Sequence, residues 1–173
     1  RYFSNKCINN VLDGDLKTNG CGKLDDINQN ALTYLKGLGV THLWLTGILE
    51  HATKTDYTEY GISKDHSAVV KGRAGSPYAI KDYFDVDPDL AVIVENRIQE
   101  FEALINRCHD AGLKVIIDFV PNHLARKYKS DSAPCNIRDF GADDIISDEF
   151  NPNNSFYYLQ DERFAAEIDL YGE

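Results

Sequence analysis

The chain alternates helices and strands, and the fold this predicts is α/β. Two apolar stripes recur at helical spacing, over residues 25–38 and about 94–111. Each is followed almost at once by a strand-like run, residues 40–45 and 113–120. The second run is nearly continuous in apolar residues rather than alternating. That pattern marks a strand buried on both faces, as in parallel sheets covered by helices.

Taken in order, the first helix places Leu24, Ile27, Ala31, Tyr34, Leu35 and Leu38 on one face. Asp26 and Gln29 are spaced as a capping pair, and Gly37 and Gly39 mark the stop. Val40 to Leu45 then reads as a strand ending at Thr46-Gly47. A long segment from Gly47 to about Val92 lacks helical periodicity and is rich in Gly, Ser, Asp and Tyr. It follows the C-terminal end of a strand, where long loops serve function more often than packing. In the second helix Val94, Ile98, Phe101, Leu104, Ile105, Cys108 and Ala111 form the stripe, with Glu95, Arg97, Glu100, Glu102 and Asp110 elsewhere. Gly112 suits a left-handed cap before the next strand. Beyond His123 the pattern becomes irregular, with a short helix expected near 142–150.

Hydrophobic residues make up 43% and charged residues 27% of the 173, which fits a globular chain and not a disordered one. The net charge of -10 argues against a nucleic-acid partner, which would need a basic face. Apolar runs span only a handful of residues against the roughly 20 of a membrane-crossing helix. Arg1-Tyr2-Phe3-Ser4 is not expected to be a signal peptide, because no apolar stretch of the required length follows it. Methionine is absent altogether, which suggests a start inside a longer protein. Cys7, Cys21, Cys108 and Cys135 include no C-x-x-C pair, so a structural zinc site is disfavoured. Thiols are favoured over a Cys7–Cys21 bridge.

Two segments carry chemistry. Asp118-Phe119-Val120-Pro121-Asn122-His123 puts a carboxylate, an amide and an imidazole at the C-terminal end of a buried strand, the edge that faces ligands in parallel α/β folds. Asp118 is expected to point inward, where an unpaired charge is costly. Alternatively, Asp118 caps loop amides and His123 is an ordinary surface residue. The stretch from Gly75 to Pro88 mixes Tyr78 and Tyr83 with Asp82, Asp85 and Asp87. Aromatic faces stack on pyranose rings and carboxylates grip hydroxyls, so the stretch suits sugar recognition; aromatics filling a small satellite core would look the same.

The combination of Tyr78, Asp82-Tyr83 and Asp87-Pro88 with Asp118 through Asn122-His123 strongly resembles the α-amylase family of glycoside hydrolases. Leu38 to Leu45 is also similar to that family's second barrel strand, and the match runs over roughly residues 24–123. The resemblance implies a partial (β/α)8 TIM barrel, about the first three βα units over residues 1–123, with the start of the domain inserted after strand 3 over 124–173. It further implies that Tyr78 stacks on a sugar, that His123 bonds a hydroxyl of the same sugar, and that Asp118 and Asp82 belong to the substrate-binding site. Asn122 matches a ligand of a structural calcium, whose oxygen shell Asp143, Asp144 or Asp148 would help complete. The implied partners are an α-glucan or maltooligosaccharide, together with the rest of the barrel or a second copy of the chain. Export of polysaccharide-degrading members favours a periplasmic or secreted location.

Departures from the family pattern are as informative. Ala79 replaces the aspartate expected after Tyr78, Thr46-Gly47 replaces Ser-Pro, and Asp13-Gly14-Asp15 lacks the remaining positions of a calcium loop. The family performs retaining hydrolysis with two carboxyl groups about 5–5.5 Å apart. Its nucleophile motif Gly-x-Arg-x-Asp, its acid glutamate and its later His-Asp pair do not occur in these residues; His109-Asp110 only imitates the last from the end of a helix. The expectation is therefore an N-terminal part of such an enzyme, inactive alone. The alternative is a non-catalytic carbohydrate-binding or interaction module on the same fold. The five histidines lack His-x-x-x-His spacing, which disfavours an unrelated metal hydrolase.

Overall fold

A computed structural model describes residues 3–7 and 9–160. It divides into two compact units, Arg1–Ser132 and Ala133–Glu173. In the first unit a short helix α1 (Leu16–Asn19), capped by the Asp15 carboxylate, precedes α2 (Gln29–Gly37). Then come strands β1 (His42–Leu45), β2 (Leu49–His51) and β3 (Ile80–Val86), helix α3 (Arg97–Asp110) and strand β4 (Lys114–Ile117). β1 and β4 pair in parallel, with Leu43 opposite Val115 and Trp44 opposite Ile116. β2 and β3 form a separate antiparallel pair whose register slips on both sides of Glu50.

The helix starts differ from those the spacing predicts. α2 is capped by Asn28, whose side chain accepts the Asn30 and Ala31 amides. Asp26 instead closes a 3-10 turn over Leu24–Asp26 by accepting the Lys23 amide at 2.8 Å. The turn into β4 is held by Gly112 in the left-handed region and by Lys36, whose ammonium donates to the Gly112 carbonyl at 2.7 Å. The long segment after β1 is not featureless: it contains the β2–β3 hairpin. Its turn needs a glycine at position 75, where φ is +78° and a Cβ would lie 1.7 Å from the Ala52 carbonyl oxygen.

The core joins Leu32 of α2 and Leu45 of β1 to Phe101, Leu104 and Cys108 of α3, with Val86, Leu90 and Leu113 around them. β4 departs from the expected burial on both faces: Ile116 and Ile117 are exposed, as are Trp44 of β1 and Phe119 beyond β4. Among the described residues β1 and β4 have only each other as strand neighbours, so their outer edges are unpaired there. No helix among the described residues is long and apolar enough to cross a membrane.

The second unit holds turns rather than the helix expected near 142–150. The Asp144 carboxylate accepts the Ser155 and Phe156 amides and the Tyr158 hydroxyl, and these bonds wrap the loop around one side chain. Those hydrogen bonds hold that carboxyl below its ordinary range against the raising effect of burial. Helical backbone there would forgo them.

Leu104 is completely buried at the centre of the core. Leu104→Ala should lower unfolding free energy by about 2–5 kcal/mol through lost transfer energy and a residual cavity, measured by urea denaturation.

Candidate functional site

The two segments that carry chemistry in the sequence meet in the structure. Tyr83, in the middle of β3, directs its hydroxyl to the Val120 carbonyl at 2.5 Å, with the His123 carbonyl at 3.3 Å. Its ring packs against Phe119 and Tyr128 at centroid distances of 5.3 and 5.9 Å. The Ala125 amide donates to the Ile80 carbonyl at 2.7 Å, and the Lys129 amide to that of Lys81 at 3.1 Å. The chain leaving β4 therefore runs alongside β3.

The residues expected to face a sugar occupy different settings along this junction. Asp118 extends the β1–β4 pairing by donating its amide to the Leu45 carbonyl, and it stands half-buried past the C-terminal end of β4. His123 is exposed, and its Nδ1 lies 3.1 Å from the Asn122 amide oxygen. With that oxygen accepting, Nδ1 carries the hydrogen and Nε2 is left to accept. Tyr78 lies in the turn before β3, 43% exposed, with its amide donating to the Ser76 hydroxyl.

Asp82 is fully buried. Its Oδ1 accepts the Phe84 amide at 2.7 Å, while Oδ2 accepts the Ser130 hydroxyl at 2.7 Å and the Asp131 amide at 3.0 Å. Both oxygens are engaged by protein donors, so the contribution of Asp82 is to position the 130–131 backbone against β3.

Around Asp82 lies a charged network that periodicity did not reveal. One oxygen from each of Glu50, Asp82, Asp85 and Asp131 lies within 4.8 Å of the others. Arg97, which lies outside the apolar stripe of its helix, is nonetheless buried and grips both Asp85 oxygens, its Nε at 2.8 and 2.9 Å. It also approaches Asp131 at 3.5 Å. Burial alone would weaken the hold of Arg97 on its proton, but the hydrogen bonds and charge of Asp85 reverse that and raise its pKa. Lys81, only 1% exposed, pairs with Asp65 at 3.0 Å, donates to the Ser63 carbonyl and stays 3.9 Å from Glu50. Glu50 is thus buried with only a distant cation. Burial pushes its carboxyl up to about 9, Lys81 offsets this in part, and Asp85, Asp131 and Asp82 add repulsion. Asp131 is raised as well, first by burial and then by a hydrogen bond to Asp85.

Four carboxylates supply hard oxygen donors of the kind calcium accepts. Here, however, Arg97 occupies the Asp85 carboxylate from the side of Asp131, and the Lys81 ammonium stands 3.9 Å from Glu50 at the other end of the group. The cluster carries its own cations and does not fit a metal ion without displacing them. Asn122 offers a single amide oxygen, set against His123. In the second unit Asp144 is committed to its loop, and Asp143 pairs with Arg138 at 2.6 Å.

A parallel β-α-β unit with an aromatic and carboxylate junction past the strand end defines an α/β protein. Residues 12–163 match the family model described as "Alpha amylase, catalytic domain". The chain belongs to the α-amylase family. It is 31% identical to mouse (Mus musculus) amino acid transporter heavy chain SLC3A1 over 66% of this chain and 13% of that one. It is likewise 31% identical to Drosophila virilis maltase 1 over 68% of this chain and 14% of the relative. A solved α-amylase from Lactobacillus plantarum shares 30% identity at a TM-score of 0.46, covering 61% of this chain and 20% of that one. The chain thus spans only about one seventh of the length of the two curated relatives.

Two outcomes follow from the junction. In the folded protein Glu50 keeps a proton that the unfolded chain releases near pH 4.5, so stability falls as pH rises from there to about 9. Glu50→Gln should flatten that slope and raise the melting temperature at pH 8–9, read by thermal denaturation across pH. Tyr83→Phe should cost about 1 kcal/mol by removing the bond to the Val120 carbonyl. It should also speed amide hydrogen exchange in residues 120–125 more than in α3.

Proposed function

We propose that this chain forms the N-terminal part of an α-amylase-type catalytic barrel, about its first three βα units, with the start of the domain inserted after the third strand. The parent protein performs retaining hydrolysis or transfer at α-glucosidic bonds of starch-like glucans. The observation that carries the reading is the junction itself: the Tyr83 hydroxyl ties the Asp82-Tyr83 motif to the Asp118-to-His123 motif, within the span matched by the family. At this junction Tyr78 offers an open aromatic face, His123 an acceptor nitrogen and Asp118 a carboxylate at the strand end. Asp82 acts behind them as a positioning residue. Asn122 is the residue we assign to a structural calcium, as one oxygen of a shell whose other ligands lie elsewhere.

These 173 residues contain no Gly-x-Arg-x-Asp motif and no acid glutamate on a barrel strand. The chain therefore supplies one wall of a sugar site, without the nucleophile or the acid. The exposed apolar side chains Trp44, Ile116, Ile117 and Phe119 support this, because further strands and helices of a barrel would cover them.

A second reading, a non-catalytic carbohydrate-binding or interaction module on the same fold, is favoured by one observation. A relative at 31% identity is named as a transporter heavy chain rather than as a hydrolase. The parent protein discriminates: hydrolysis of maltooligosaccharides supports the enzyme, whereas binding without turnover supports the module. For the 173-residue chain, maltotriose hydrolysis should be undetectable and maltotriose binding weak. Tyr78→Ala should reduce that binding about tenfold by calorimetric titration, the loss expected for one aromatic contact of about 1.4 kcal/mol.

A further inference from the structure

We propose that a cationic cavity between the loop after β2 and the segment beyond β4 is a binding site for a phosphate group, free or carried on a sugar. The cavity has a volume of about 620 Å³, and Lys54, Lys64, His66, Arg73 and Lys127 line it. Four cations converge here, three from the loop after β2 and one from the segment beyond β4, in a chain whose net charge is -10.

The carboxylate in the wall, Asp65, does not cancel them. It is buried, and its Oδ2 is taken by the Lys81 ammonium at 3.0 Å and the Thr53 amide at 3.3 Å, so its charge is spent inward. Lys54 is only 3.8 Å from Asp13, a loose pair, and Lys64 meets Asp56 at 3.1 Å; both of these acids are well exposed and screened by water. Arg73 spends its Nε on the Asp13 carbonyl at 2.9 Å, which leaves its two terminal nitrogens as a fork for an oxyanion. Lys127 has no carboxylate partner among the described residues. The Nδ1 of His66 accepts the Ala68 amide at 3.2 Å, so Nε2 carries the ring's hydrogen and can donate.

Positive charge and donors, with the Ser67 hydroxyl among them, dominate the lining, and a phosphate group, with oxygen acceptors and close to two negative charges at neutral pH, matches that demand. A neutral glucan does not. The backbone places the cavity beside the proposed sugar wall. The Lys54 amide donates to the Arg73 carbonyl and the Ala52 amide to that of Ala79, next to Tyr78; Lys127 follows Ala125, which is bonded to Ile80. The phosphate site stands on the cavity's own residues and not on glucan binding.

The test is isothermal titration of the 173-residue chain with inorganic phosphate, glucose 6-phosphate and glucose. Both phosphates should bind and glucose should not, with affinity falling as salt is raised. Lys127→Gln and Arg73→Gln should each weaken phosphate about tenfold, as for loss of one charge-assisted contact. Lys127→Arg should retain it, with circular dichroism unchanged throughout. Tighter binding of glucose 6-phosphate than of phosphate identifies the sugar ester as the ligand, and equal binding identifies the free anion. No phosphate binding by the wild-type chain, or equal binding by both Gln variants, overturns the proposal. Maltotriose titrated into the same samples reports separately on the sugar wall.

Discussion

The grip of Arg97 on Asp85 is the contact on which the arrangement of the first unit turns. Arg97 is the first residue of α3 and Asp85 the penultimate residue of β3, so one ion pair fixes where the helix leaves the hairpin. From that origin α3 runs to Gly112 and delivers β4 beside β1. Burying a guanidinium and a carboxylate costs several kcal/mol each unless both are fully engaged. Here Arg97 meets both oxygens of Asp85, and Asp85 additionally accepts the Val86 amide at 2.6 Å. Removing one partner would leave the other as an uncompensated charge in the interior. That penalty enforces the geometry more strictly than the net gain of the pair does.

The same pair sets the electrostatics of everything around it. Once Asp85 and its neighbours hold Arg97, and Asp65 holds Lys81, the remaining acids of the cluster outnumber the cations. Water cannot relieve Glu50 at 2% exposure, so a proton does. The Asp131 carboxyl is likewise pushed up, first by burial and then by its hydrogen bond to Asp85. Packing in the hairpin thus raises the carboxyls of both Glu50 and Asp131.

Much of this was legible in the residues. The spacing of Phe101, Leu104 and Cys108 revealed α3 and its buried face, and Gly112 its end. Tyr83 and His123 belonged to motifs whose joint presence pointed to one family, and the structure brings those motifs into contact. Arg97 was not legible, because periodicity assigns a charged residue to solvent unless its partner is known, and Asp85 lies in another element. Asp82 and Asp85, three apart, would face opposite sides of a regular strand. The register slips around Glu50 bend the pairing and let both join one cluster, and nothing local in the sequence announces a bulge. The helix expected near 142–150 failed for a related reason: Asp144 offers the backbone a better set of partners from residues more than ten positions away.

The burial of β4 carries the argument furthest. Its sequence, Lys114-Val115-Ile116-Ile117, is that of a strand enclosed on both faces, yet Ile116 and Ile117 stand exposed beside Trp44. Such a composition is costly on a surface and favourable only under cover. The composition of the strand and its surroundings therefore disagree, and the disagreement has a direction. The Tyr83 junction and the Arg97 pair are satisfied within these residues, whereas the β1–β4 sheet is not. Among the described residues the polar contacts of the junction are satisfied, whereas apolar side chains of the parallel strands stand exposed. That asymmetry fits a chain that spans about one seventh of the length of its curated relatives.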